Sequence, residues 1–198
     1  MTDALLIIGA LAAAVFVVVV LVEGAVRPDY DPIYYTASEL SLGDRGWIQI
    51  TNFLQVGVGM LAYAVGIYRV LNTLSGAVFL AISGLALIAA GVFVVDPRRG
   101  YPPDAVYDDA VRGTWHHQLH EVTGPVVFLA MFGACVILAD QLEGAWRTYT
   151  FVTAVVGLTM TIWTALAYRR DARHTGLAQR TLIVTYMSWV LLTGAHLA

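Results

Sequence analysis

Residues 4–22 form an apolar run of 19 positions without a charged side chain. A helix needs about 20 apolar residues to cross the hydrocarbon of a bilayer, and inside that layer only helices and closed barrels satisfy their own backbone groups. Runs of similar character recur at 46–68, 70–95, 116–139, 148–168 and 181–198. The expected fold is therefore all-α, a polytopic membrane protein with a six-transmembrane-helix bundle in a single domain over 1–198. Composition agrees: 59% of residues are hydrophobic and 13% charged, with a mean hydropathy of +0.72, outside the usual range of soluble domains. Met1-Thr2-Asp3 lacks the basic region of a signal peptide, and Glu23 stands at the −3 position of the only small-residue cleavage candidate, after Ala25. The first helix is expected to be retained.

The connections between the second and third runs and between the fourth and fifth are very short, which makes those pairs antiparallel hairpins. The other three connections, 23–45, 96–121 and 169–180, share the opposite side. All arginines except Arg69 and Arg147, and all acids except Asp3, Asp140 and Glu143, belong to that side or its helix ends. One face is chemically rich and the other bland. Counting arginine alone, the positive-inside rule puts the rich face in the cytoplasm. Eleven arginines with no lysine against fourteen acids, net −3, provide no basic stripe to neutralise phosphates, so nucleic acid is excluded as a partner. The lone Cys135 allows no intramolecular disulfide. Composition leaves a protein partner or homo-oligomer open.

Residues 96–124, DPRRGYPPDAVYDDAVRGTWHHQLHEVTG, are the most densely ionisable part of the chain. His116 and His120 are four apart, on one helix face, the spacing that lets two imidazoles share a metal ion. Glu121 follows directly, and His117 is expected to point elsewhere, about 100° round the helix. Asp96 ends the third helix because Pro97 halts it; it would lie level with the histidines as a third ligand or a general base. Each of these groups also has a plain alternative as a solvated residue at a helix end.

In the first connection, Arg27-Pro28-Asp29-Tyr30-Asp31-Pro32 leads into a Tyr-rich segment suited to a short interfacial helix. Ser38 and Glu39 there supply a nucleophile and a carboxylate, or else cap that short helix. Asn52 and Gln55 form a polar stripe near the rich side, and polar residues at membrane depth face the bundle or a watered cavity. Arg180, placed at the start of the sixth helix, is suited to a phosphate or a carboxylate.

The order of these motifs resembles a family. A Pro-Asp-Tyr-Asp-Pro segment at 28–32 precedes Ser38-Glu39-Leu40 and Gly46-Trp47; Asp96-Pro97 precedes Gly-Tyr-Pro-Pro at 100–103; His116, His120, Glu121 and Gly124 follow; Gly176-Leu177 and Gln179-Arg180 close the set. In this the chain resembles the six-helix bacterial and archaeal membrane proteins catalogued as domain of unknown function 998, over essentially its whole length. The resemblance implies a prokaryotic cell membrane and places the motif loops outside the cytoplasm, opposite to the arginine count. A Ser, Asp and His set at one leaflet is also similar to the site of the metal-dependent membrane hydrolases that include alkaline ceramidases.

The expected function is a polar pocket at one leaflet that binds a lipid or amphiphile and hydrolyses or transfers its headgroup. Zinc on Asp96, His116 and His120 would activate a water, with Glu39 or Glu121 handling the proton. Asn52, Gln55 and Arg180 would hold the ligand. The alternative is a non-catalytic protein whose polar face docks a partner or senses lipid. Glu39, Asp96, His116, His120 and Arg180 are expected to line one pocket.

Overall fold

A computed structural model describes residues 2–103, 105 and 113–198. Asp104 and the Asp108, Asp109 and Arg112 part of the ionisable stretch lie outside the described residues. Six long helices follow one another: α1 (Thr2–Val26), α2 (Gly46–Leu71), α3 (Leu74–Val92), α4 (Trp115–Ala139), α5 (Gly144–Arg169) and α6 (Thr175–Leu197), with a 3-10 turn at Ala37–Ser41. Each helix packs on its neighbour in sequence, and α6 returns to pack on α1, so the six close into a ring.

The distribution of side chains across this ring is that of a protein in lipid. On α1, Leu11, Val15, Val18 and Val22 point outward and exposed, while Gly9, Ala10, Ala12 and Ala13 are buried. Lipid tails are as apolar as leucine, so burying a large side chain gains little there, and small residues that let backbones approach are favoured between helices. The α2–α3 crossing shows the same preference. A Cβ on Gly57 would lie 2.7 Å from the Gly84 carbonyl oxygen, and one on Gly84 would lie 2.9 Å from that of Gly57. Exposed apolar surface of this extent marks a membrane contact. Five helices, α1 to α5, are long and apolar enough to span; α6 is as long but carries Arg180, Thr193 and other polar groups on its buried side.

Several helix ends differ from the expected bounds, and two of them bear on the site. Helix α6 begins at Thr175 instead of residue 181 because the first connection caps it: the amides of Gly176 and Leu177 donate to the carbonyls of Tyr34 and Ile33 at 3.1 and 3.0 Å. The first N–H groups of a helix have no partner inside it, and these carbonyls supply one. Helix α3 ends at Val92, so Asp96 lies beyond the helix and not at its last turn. The short connections hold as expected. Asn72 ends α2 in the left-handed region (φ 49°), and the Thr73 hydroxyl caps α3 at the Gly76 amide.

Candidate functional site

A cavity of about 440 Å³ lies inside the ring, within the range of small-molecule sites. Every helix contributes to its wall, for example Phe16, Phe53, Leu87, Val127, Leu158 and Leu182. Its polar groups gather at the rich face: Ser38 and Glu39 from the 3-10 turn, Arg98, His120 and Glu121, Tyr168 and Gln179. The cavity is therefore amphipathic, with a polar head end and an apolar body.

At the head end Ser38 Oγ lies 2.8 Å from His120 Nε2. The other ring nitrogen, Nδ1, lies 2.6 Å from the Phe93 carbonyl oxygen and 3.1 Å from that of Ala90. A carbonyl only accepts, so Nδ1 must carry the proton and donate it, leaving the Nε2 lone pair to accept from the Ser38 hydroxyl. Nucleophile, base and orienting acceptor are thus lined up in the order that activates a hydroxyl. The early end of α3 makes this possible, because unwinding after Val92 frees the Phe93 carbonyl to face His120. Three contacts fix Ser38 from its own side. The Gln179 side chain accepts from the Ala37 amide at 2.7 Å, and Glu39 Oε2 accepts from the Thr36 amide and hydroxyl at 2.6 and 3.0 Å. The last pair closes a capping box around the turn.

A family model described as Protein of unknown function (DUF998) matches residues 10–196. The chain belongs to this family. No curated protein and no solved structure matches it. Within this DUF998 chain the motifs that were scattered in sequence meet at the rich face, though not all in one place.

His120 and Glu39 come together with Ser38 at the cavity, and Glu121 lines its mouth, where its Oε1 accepts from the Tyr168 hydroxyl at 2.6 Å. Asp96, His116 and Arg180 go elsewhere. The Asp96 carboxylate accepts from the Thr114 amide and hydroxyl at 2.6 and 2.8 Å, capping the start of α4. It is His117, expected to point away, that meets Asp96: its Nδ1 accepts from the Asp96 amide at 3.1 Å. His116 packs on Trp115 and Phe93, with ring centroids at 3.9 and 5.7 Å. The α4 helix starts at Trp115, one residue before His116, so the expected geometry of two imidazoles on one face is present while their third partner is not. Among the described residues no group of three His, Cys, Asp or Glu is placed to hold a metal ion; of the three donors expected for zinc, Asp96 caps α4 and His116 packs on Trp115.

Arg180 is buried, and its partners are three main-chain oxygens and a tyrosine hydroxyl. Nη1 donates to Pro32, Tyr35 and Gly176 at 2.7, 2.8 and 3.2 Å, and Nη2 to the Tyr30 hydroxyl at 2.6 Å. It fastens the first connection onto α6. Asn52 and Gln55 likewise serve packing: with Gln49 they form a ladder whose amides donate to the α1 carbonyls of Phe16 and Ala12, each at 3.2 Å. This stripe, expected to hold the ligand, braces α1 against α2, and neither residue lines the cavity. Sequence reading gave no site role to Arg98, Tyr168 and Gln179; Gln179 entered only as part of the family motif and Arg98 stands beside Asp96-Pro97, whereas Tyr168 carries no signal beyond its place at a helix end.

Over the head end the three connections are tied together. Tyr34 donates to Asp171 at 3.0 Å, Arg99 pairs with Asp171 at 2.8 Å, and the Arg99 guanidinium lies over the rings of Tyr34 and Tyr168. The first connection is therefore a lid fastened in place.

Glu39 Oε1 is buried without a hydrogen-bond partner among the described residues. Burial pushes this carboxyl above the ordinary glutamate range, against the pull of the Thr36 amide and of Arg99. An acid whose folded pKa is raised stabilises the fold fully only below its ordinary pKa, and stability falls as pH rises above that value. Glu39→Gln retains an acceptor for Thr36 and removes the charge. It should melt higher than the wild type at neutral pH, with the difference closing below about pH 4. Equal melting at neutral pH would show that the buried carboxylate costs nothing.

Proposed function

We propose that the protein is a six-span enzyme of a prokaryotic cell membrane, which binds an amphiphile in its central cavity and cleaves or transfers an ester of that amphiphile through Ser38. The observation that carries the reading is the Ser38–His120 pair, with its tautomer set by Phe93, at the polar end of an apolar cavity. His120 Nε2 takes the hydroxyl proton as Ser38 Oγ attacks the ester carbonyl carbon. The alkoxide leaving group departs with that proton, leaving an acyl-serine. A water, or a second alcohol for transfer, gives up its proton to Nε2 as its oxygen attacks the acyl carbon; the bond to Ser38 Oγ breaks, Nε2 returns the proton to that oxygen, and the acyl group leaves as the acid or the new ester. Arg98 and Arg169 line the same end and supply positive charge for an anionic head. No step is routed through zinc, because Asp96, His116 and His120 do not converge.

The test is covalent labelling of the reconstituted protein by a fluorophosphonate, which reports an activated serine without knowledge of the substrate. A protein that labels at Ser38 supports the enzyme. One that binds lipid and never labels supports the second reading, a sensor, which the fastened lid of Tyr34, Arg99 and Asp171 favours.

The sixth span is proposed for α6 because it closes the ring on α1. Single cysteines at Asp44 and Arg173, both exposed, should react with an impermeant thiol reagent from the same side of the membrane in a Cys135→Ala background. One at the exposed Gln141 should react from the other. Asp44 and Arg173 reacting from opposite sides would remove a span. The same experiment decides between the cytoplasmic face given by the arginine count and the external face implied by family resemblance.

A further inference from the structure

Burial along α5 fails part-way. Its buried residues are Thr150, Thr153, Ala154, Gly157 and then Ala167, with none between Gly157 and Ala167. On the facing helix α4, Glu121, Pro125 and Leu129 succeed one another at intervals of one turn, and all three are exposed while lining the cavity. Ile162, Ala165 and Arg169 of α5 are likewise exposed and likewise line it. A side chain that is on the outer surface and on the cavity wall together stands at an opening; Leu129 is 52% exposed and Ile162 53%. Toward the α4–α5 hairpin burial resumes on both helices, at Ala134 and Leu138 on one and at Thr150 and Ala154 on the other.

Two residues of α4 mark the open stretch. A Cβ on Gly124 would meet nothing within 4 Å, so the space beside it is open. Pro125, inside the helix, has no amide to donate to the Glu121 carbonyl, which loosens the helix at that turn. The seam is graded as a leaflet is graded, from Glu121 and Arg169 at the rich face to Leu129 and Ile162 deeper in. At the rich face, by contrast, Arg99 and Asp171 tie the connections to one another.

We propose that the cavity opens sideways into the bilayer between α4 and α5, and that its ligand is a membrane phospholipid or related acyl lipid whose chain enters through this seam. The head then rests against Ser38, Arg98 and His120, with the chain among Val127, Leu182 and Met187. The inference rests on the cavity being an amphiphile site, as proposed above, and is independent of whether Ser38 is reactive.

The experiment uses the full chain in phosphatidylethanolamine–phosphatidylglycerol vesicles containing a phospholipid with a diazirine half-way along one acyl chain. After irradiation, adducts are mapped by mass spectrometry. Adducts should concentrate at Leu129 and Ile162 and also reach the buried Val127, Leu182 and Met187, which lipid surrounding the protein does not touch. Gly124→Trp and, separately, Ile162→Trp should each lower the interior adducts severalfold relative to those at outward-facing Val18. Adducts confined to outward-facing residues in the wild type overturn the proposal whether or not either variant folds. So do interior adducts indifferent to both tryptophans, or seam residues linked to a second copy of the chain. Interior adducts in a protein that no fluorophosphonate labels would sustain the lateral opening and sink the hydrolase.

Discussion

Ser38→Ala abolishes fluorophosphonate labelling, and His120→Ala slows it about 10²–10⁴-fold, the range that a positioned general base contributes. A serine hydroxyl far from a base is a poor nucleophile at neutral pH. What sets Ser38 apart from the buried Ser41 and Ser83 is the accepting nitrogen 2.8 Å away. The two variants act on one unit, so the double variant should be no worse than Ser38→Ala alone. Neither removes a large apolar side chain, and circular dichroism and melting should stay near wild type for Ser38→Ala. Persistent labelling in Ser38→Ala would assign the reaction to another residue and end the mechanism. Loss of labelling in Ser41→Ala as well, with normal folding, would mean that the turn and not the dyad is being read.

Arg27→Ala destabilises the protein by about 3–5 kcal/mol, the usual cost of removing one partner from a buried ion pair. Arg27 and Glu23 are one turn apart at the end of α1 and paired at 3.0 Å, with side chains 4% and 8% exposed. The guanidinium also donates to the carbonyls of Leu40, Leu42 and Arg45 and to the Tyr101 hydroxyl, so its loss orphans several buried acceptors at once. Arg45 also pairs with Glu23 but is 44% exposed on its side chain and offers weaker compensation. Because Leu40 and Leu42 lie two and four residues after Ser38, labelling should fall along with stability. The combination Glu23→Leu with Arg27→Met leaves no buried charge at this junction and should recover part of the melting temperature. A single-variant loss below about 1 kcal/mol, typical of a surface pair, would show that this junction is solvated.

What the sequence determined is what depends on composition and short range. The uncharged run at 4–22 and its successors specify helices in a bilayer, because no other open structure satisfies the backbone there. The hairpins at Asn72-Thr73 and 140–143 were legible from connection length, and the crowding of charge on one face from counting. The residues at that face were legible as a group: Ser38, Glu39, His120 and Glu121 do share the cavity. Tertiary structure decided which of them meet. The four-residue spacing of His116 and His120 fixes a common helix face, but whether a third donor arrives depends on where the 93–103 segment leaves α3. That segment departs early and brings the Phe93 carbonyl to His120, while Asp96 is drawn to the Thr114 cap. Arg180, Asn52 and Gln55 read as ligand groups because an isolated polar residue in an apolar run carries no mark of its partner. Here the partners are main-chain carbonyls of Pro32, Tyr35, Phe16 and Ala12, and a carbonyl is the same at every position of a sequence. The opening proposed beside Gly124 was equally hidden, since it depends on how α4 and α5 lie against each other, a relation that neither helix's sequence contains.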